Sequence, residues 1–573
     1  VYIENLKEVA RSQGETSSAR PLSFFERPRP LQSICSTTVT SHEMNERLKH
    51  CLFSALFLAS FMSVAPGCSG DPEPDETPSS TTSDMGMNTA DQSSEQDMNT
   101  TPAEDMGSQP EDMTSVEADM PPEEDQGMPV DMADDSCPWP EFQIAGTPET
   151  DNLAMDAARC GQPDHAWITD SMLGTVTSYG DRQDISKALL QSVLDMENTT
   201  LPEPLQYNTR IQQFAYMTQD RGELIEATAL IGTPRGAEQP RGVILVLHGT
   251  TGFTDDCAPS RSLEGAALVA LFASLGYMAI APDYIGMKGL GDRSPEIHPY
   301  LAGQATAIAS LDAVRAAQHI DASRRSDLCP GTDLLVFGGS QGGHAALWVD
   351  RLQPYYAREM KLLGTVATVP PMDLLAQLTR ALQEEVNATA NSIAFFGAAA
   401  SWYGASDRLN EVFESPYDTR VPEVLYGGCD FSDLTDGDLS IETLFTPEII
   451  DAAATQTLGE YEPWGCMARE NSLTDTSIAR IQEDDPSYGI LLVFGEEDNL
   501  VHTPIERAAY PSLCEGQEMP TQYIECAGAG HGPATFYALP EILGFLDDRI
   551  NGRPFTPSCE APAPVVCQGT PQN

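Results

Sequence analysis

The sequence predicts an α/β fold in which a mostly parallel central sheet carries helices on both faces and accepts an inserted, mainly helical cap. Three observations point there. Runs such as Gly242-Val243-Ile244-Leu245-Val246-Leu247 are almost continuously apolar, as strands covered on both faces must be. These runs alternate with longer stretches of helix-forming residues. At one junction, Leu334-Leu335-Val336-Phe337 passes through Gly338-Gly339-Ser340-Gln341-Gly342 into an alanine-rich stretch, the order strand, sharp turn, helix.

Tyr207 to Thr218 and Glu223 to Ile231 read as two strands, joined by Gln219-Asp220-Arg221-Gly222, whose Asp and Gly suit a hairpin. Gly242 to Leu247 is the first fully buried strand. Leu263 to Leu275 reads as a helix, Tyr277 to Ala281 as a strand, Ala302 to Ala317 as a helix and Leu334 to Phe337 as the strand before Ser340. Further strands are expected at Leu363 to Thr368, Gly489 to Phe494 and Gln522 to Cys526, with a last helix from Pro540 to Ile550. An antiparallel start followed by alternation places ligands at the carboxyl ends of the strands. Residues 374–479 break the alternation and read as the cap over that end. Within it Phe395, Phe396, Trp402, Tyr403, Trp464 and Met467 are candidates for an apolar pocket, although such residues more often form core.

The 573 residues are 41% hydrophobic and carry a formal net charge of -55, which argues against nucleic acid as a partner because phosphates need Lys and Arg. Residues 1–43 lack periodicity and read as disordered or as lying upstream of the true start. Met44-Asn45-Glu46-Arg47-Leu48-Lys49-His50 then precedes an apolar run from Cys51 to Ala65, the pattern of an export signal. Its end, Ala65-Pro66-Gly67-Cys68, resembles a bacterial lipoprotein signal, with Cys68 as the lipidated residue and a plainly cleaved signal as the alternative. Residues 69–136 hold no aromatic, Lys or Arg among roughly twenty Asp and Glu, a composition that cannot bury enough apolar surface to fold. They read as a disordered acidic linker, and residues 137–573 as the folded domain with its cap. The chain is therefore expected at the cell envelope, lipid-anchored with the outer membrane as the favoured site, or secreted.

A serine is a weak nucleophile until a base and a group that orients the base stand beside it. At the strand-to-helix turn Ser340 is lifted towards substrate, with the helix N-terminus close to where an oxyanion forms. After the strand Gly489 to Phe494 comes Gly495-Glu496-Glu497-Asp498-Asn499, and Asp498 is the expected acid, ahead of Glu496, Glu497 and Asp373. After the last strand comes Ala527-Gly528-Ala529-Gly530-His531-Gly532, and His531 is the expected general base, ahead of His502 and His344. The oxyanion donors are expected from the backbone of Gln341 and from His248-Gly249-Thr250-Thr251-Gly252, with Thr250 ahead of Thr251 and His248 structural. No Cys-x-x-Cys or His-Glu-x-x-His spacing occurs, so metal ligation is not expected, and the expected chemistry calls for no cofactor.

Those residues stand among others that resemble one family. His248-Gly249-Thr250-Thr251-Gly252 with Cys257-Ala258-Pro259-Ser260, Gly276-Tyr277 to Pro282-Asp283-Tyr284, and His298-Pro299-Tyr300-Leu301 are similar to secretory lipases of the α/β-hydrolase superfamily. So are Leu311-Asp312-Ala313-Val314-Arg315-Ala316-Ala317, Gly339-Ser340-Gln341-Gly342-Gly343-His344 and the tail from Phe545 to Cys559. The resemblance implies hydrolysis of carboxylic esters, lipid or smaller, with Ser340, Asp498 and His531 as the triad and no metal. Two other readings stay open: an exopeptidase of the same fold, with Glu384, Glu385 or Asp430 holding a peptide amine, and a lipoprotein that kept the scaffold for binding alone.

Of thirteen cysteines, ten follow Cys68, an even number that permits full pairing after export. Spacing suggests Cys137 with Cys160, Cys429 with Cys466, Cys514 with Cys526, Cys559 with Cys567, and Cys257 with Cys329.

Overall fold

Alternation of apolar side chains within each central strand decides how the sheet is covered. In β4 (Val243–Leu247), residues 243, 245 and 247 join one core while Ile244 and Val246 join another on the opposite face. The computed structural model describes residues 160, 167–196, 199, 201–324, 331–431, 434–435, 440–482 and 484–571, without the side chains of residues 321–324. The expected export signal, Cys68 and the acidic linker lie outside the described residues.

Among the described residues nine strands form one sheet. They are β1 (Val176–Ile185), β2 (Asn208–Asp220), β3 (Glu223–Arg235), β4, β5 (Met278–Pro282), β6 (Asp333–Gly339), β7 (Lys361–Thr368), β8 (Gly489–Gly495) and β9 (Thr521–Cys526), in the order β1-β2-β3-β5-β4-β6-β7-β8-β9. The first three strands pair antiparallel, β3 pairs antiparallel with β5, and all pairings from β5 to β9 are parallel. The β2–β3 hairpin closes through Arg221 and Gly222, both at positive φ (51° and 81°), as a tight hairpin turn requires.

Helices α1 (Lys187–Met196) and α2 (Leu263–Ser274) cover one face, whereas α3 (Gly303–Arg324) and α4 (Gln341–Tyr356) cover the other. Between β7 and β8 lie α5 (Leu374–Ala381), α6 (Thr389–Trp402), α7 (Tyr417–Gly427), α8 (Ile441–Leu444), α9 (Pro447–Ala454) and α10 (Trp464–Glu470), which share a core of their own. The remaining α-helices among the described residues are α11 (Thr503–Pro511), α12 (His531–Tyr537) and α13 (Leu539–Ile550). Among the described residues no helix is long and apolar enough to cross a membrane. This is an α/β-hydrolase fold.

Four elements were not expected from sequence: β1, α1, α11 and α12. In β1 the sequence Val-Thr-Ser-Tyr-Gly-Asp-Arg-Gln-Asp-Ile is mostly polar, because only one edge is paired and two register shifts interrupt the pairing with β2. The cysteine pairings also need correction. The disulfides are Cys160–Cys466, Cys257–Cys429, Cys514–Cys559 and Cys526–Cys567, while Cys137 and Cys329 lie outside the described residues. Nearness in sequence misled, because the cap folds back on the start of the domain: the first two bonds span 306 and 172 residues and fasten cap segments to residue 160 and to the loop after β4.

A buried polar cluster locks α3 to its neighbours. Asp312, fully buried, accepts from Thr218 Oγ1 on β2 (2.7 Å), Tyr356 OH on α4 (2.8 Å) and Arg315 (2.7 Å), and Arg315 also donates to Glu359 (2.6 Å). Removing one partner strands the others without water. Asp312→Ala should therefore lower stability by about 3–5 kcal/mol. Urea denaturation measures it; a loss under about 1 kcal/mol, the range of an exposed ion pair, would contradict the role given to this cluster.

Candidate active site

The turn between β6 and α4 forces Ser340 to φ 59° and ψ -122°, a region that non-glycine residues avoid. The strain is held by the surroundings. Ser340 N–H donates to Thr368 O at the end of β7 (2.8 Å), and His344 N–H donates to Ser340 O (3.0 Å). A Cβ on Gly342 would sit 2.0 Å from Leu247 O, so only glycine lets the first turn of α4 press against the end of β4.

Two further strand ends complete the arrangement. Asp498 follows β8 and is 1% exposed; its Oδ1 accepts the N–H groups of Leu500 (2.9 Å) and Val501 (3.1 Å). That leaves Oδ2 for His531 Nδ1, at 2.7 Å. His531, at the start of α12, turns its Nε2 to Ser340 Oγ at 2.8 Å. The loops bearing Asp498 and His531 are joined by Glu497 N–H donating to Ala529 O (2.8 Å), and a Cβ on Gly495 would lie 2.4 Å from the same carbonyl. A ring that donates through Nδ1 to a carboxylate presents an unprotonated Nε2 to the serine hydroxyl.

The other sequence candidates lie elsewhere. Asp373 caps α5 by accepting Ala376 N–H (3.0 Å), and Glu496 accepts Gly528 N–H (2.9 Å). His344 is buried within α4 against Asn471 O (2.8 Å), where burial drives it down to about 4. Backbone N–H of His502 donates to Gln377 Oε1 (3.3 Å), and its ring has no bond to the triad candidates. His248 stacks on Tyr284 with ring centres 4.1 Å apart, and burial lowers it to about 4, so it is neutral. Gln341 is the first residue of α4, where a backbone N–H has no partner within the helix. Thr250 Oγ1 is 3.0 Å from Tyr300 OH.

A cavity of about 50 Å³ adjoins Ser340 and Gln341, lined mainly by apolar side chains including Leu301, Leu374, Leu378, Phe395, Leu500 and Val501. Of the six aromatic and Met candidates in the cap, only Phe395 reaches it; Phe396, Trp402, Tyr403, Trp464 and Met467 pack in the cap core. A larger cavity, about 390 Å³, lies on the other face of α5 among Asp373, Thr379, Arg380, Gln383 and Asp475, and Ser340 takes no part in it.

Sequence reasoning missed Glu506. This fully buried carboxyl on α11 accepts the N–H groups of Met372 (2.9 Å) and Asp373 (3.2 Å) and the side-chain amide of Gln377 (2.8 Å), which lines the small cavity. It thus fastens the start of α5 to the helix that follows the Asp498 loop. Within α11 its only signal was one acidic residue, beside Arg507, in an otherwise uncharged run.

The geometry defines an α/β-hydrolase with a serine, a histidine and a carboxylate in line at the carboxyl edge of the sheet. The chain belongs to the secretory lipase family, which it matches over residues 261–558, and it is a carboxylic ester hydrolase. It is 23% identical to a secreted triacylglycerol lipase of Malassezia globosa, over 60% of this chain and 70% of that one. To Lipase 4 of Candida albicans it is also 23% identical, over 53% of this chain and 65% of the relative. The rice cell wall degrading esterase LipA from Xanthomonas oryzae shares the fold, with a TM-score of 0.53 and 20% identity over 66% of this chain and 97% of that one.

Burial outweighs the donors around Glu506 and raises its carboxyl from 4.5 to about 8. Below 4.5 both folded and unfolded chains hold the proton. Between 4.5 and 8 only the folded chain keeps it, so stability falls as pH rises through that window. Glu506→Gln should flatten this fall, by up to about 1.4 kcal/mol per pH unit. Urea midpoints measured from pH 5 to pH 8 test it; parallel curves for wild type and variant would contradict it.

Proposed function

We propose that the protein is an exported serine ester hydrolase in which Ser340, His531 and Asp498 act as the triad. The observation that carries this reading is the His531 ring, with Nε2 2.8 Å from Ser340 Oγ and Nδ1 2.7 Å from Asp498 Oδ2. His531 takes the proton of Ser340 as Oγ attacks the ester carbonyl carbon. The carbonyl oxygen becomes an oxyanion, received by the Gln341 N–H and by Thr250. As the intermediate collapses, the carbon–oxygen bond to the alcohol breaks and His531 gives its proton to the departing oxygen. Water then attacks the acyl-enzyme, losing a proton to His531, and the acid leaves as Ser340 recovers its proton. Asp498 stays ionised and holds the ring in the working tautomer.

The small cavity beside Ser340 supports a short acyl group. At about 50 Å³ it is far smaller than the roughly 300–1,000 Å³ of a pocket for a drug-sized ligand. Helices α5 to α10 act as a cap that sets this limit, with Phe395 at its wall.

The N-terminal sequence supports export and attachment. Cys68 is the lipidated residue, several acyl chains make the anchor stable, and residues 69–136 hold the folded part away from the membrane, the outer membrane being the favoured site.

A panel of nitrophenyl esters from acetyl to palmitoyl, run beside amino-acid anilides, tests this function. Wild type should prefer acetyl and butyryl esters and leave anilides intact, and Phe395→Ala should move the optimum to longer chains. Asp498→Asn should lower kcat about 10⁴-fold. A profile that rises steadily to palmitoyl would contradict the short pocket, and anilide turnover above ester turnover would contradict the ester reading.

A further inference from the structure

The segment between β5 and α3 carries two buried side chains that the proposed chemistry does not use, and each is bonded to a residue of the oxyanion region. Nε2 of His298 accepts the side-chain amide of Gln341 (2.6 Å), while its Nδ1–H donates to Ile285 O (2.9 Å). Burial lowers this imidazole to about 3, so it is neutral and able to accept. Two residues on, Tyr300 is 4% exposed, with its hydroxyl 3.0 Å from Thr250 Oγ1 and 2.9 Å from Asn391 Nδ2. Asn391 belongs to α6, a cap helix. Tyr300, Asn391, Ser340 and Gln341 all line the same small cavity.

Counting protons gives this chain a direction. An amide nitrogen only donates, so the Tyr300 oxygen accepts from Asn391. A phenol has one proton, and the hydroxyl within its reach is Thr250 Oγ1. Having accepted that proton, Thr250 keeps its own free to point elsewhere. Hydrogen bonds in such a sequence polarise one another, and a preoriented donor in a water-poor site gains most where charge develops.

We infer that Tyr300 and Asn391 are positioning residues that make the Thr250 hydroxyl a side-chain donor to the oxyanion. The seating of cap helix α6 on Tyr300 then governs the rate of acyl transfer as well as the shape of the pocket. This rests on the ester-hydrolase reading above. His298 serves the other side of the hole in the same manner, by holding the side chain of Gln341.

The test is a double-mutant cycle read by steady-state kinetics on a short ester. Thr250→Val should lower kcat about 10²-fold, with KM little changed, and Thr250→Ser, which keeps the hydroxyl, should restore most of it. Tyr300→Phe should lower kcat about tenfold when Thr250 is present and have no further effect in the Thr250→Val background. The direction of the chain is tested at its far end. Asn391→Asp supplies a group that accepts the Tyr300 proton, which commits the Thr250 proton to Tyr300, so kcat should fall further than in Asn391→Leu. Active sites in each variant are titrated with a fluorophosphonate, so that loss of folded enzyme is not read as loss of rate.

Effects of Tyr300→Phe that simply add to those of Thr250→Val would overturn the inference. So would a rise in KM at constant kcat, or an Asn391→Asp variant as fast as Asn391→Leu. Any of these in an active enzyme leaves the ester-hydrolase reading standing. A titrated wild type that cleaves no ester would instead remove that reading.

Discussion

Segments of backbone meet at the carboxyl edge of the sheet more closely than side chains would allow, and this approach is the constraint on which the site depends. The first turn of α4 presses on the end of β4 at Gly342, and the loop after β9 presses on the end of β8 at Gly495. A methyl group at either point would meet a carbonyl oxygen at 2.0 or 2.4 Å. Because these contacts exist, Ser340 can be held at positive φ, and His531 can arrive between a hydroxyl and a carboxylate within hydrogen-bonding distance of both. Strain at one residue, of order 1–3 kcal/mol, is borne by a sheet buried on both faces.

That sheet explains what the sequence revealed. Strands such as Leu334 to Phe337 and Gly489 to Phe494 are apolar throughout because alternate residues enter opposite cores, and their carboxyl ends run straight into Ser340 and Asp498. Position at a strand end therefore singled out Ser340, Asp498 and His531, and the structure brings the three together. Edge and cap were less legible. The mostly polar β1 lies at an edge with shifted register, and two of the disulfides follow the way the cap folds back over the domain.

Glu506, Tyr300 and Asn391 show what pattern alone does not carry. Each is defined by the groups it meets from distant segments: Met372, Asp373 and Gln377 for Glu506, Thr250 for Tyr300, and Tyr300 for Asn391. His298 and Tyr300 stood within a stretch that resembled the family, but their partners were not written in it. The bonds of Glu506 to α5 and of Asn391 to Tyr300 make the cap part of the site's framework as well as its cover.

The central claim is that His531 activates Ser340 and no other serine. Its most direct test is the mass-spectrometric location of a fluorophosphonate label on the intact protein. The account predicts a single adduct, on Ser340, that disappears in His531→Ala. Labelling of another residue, or undiminished labelling of Ser340 without His531, would contradict it.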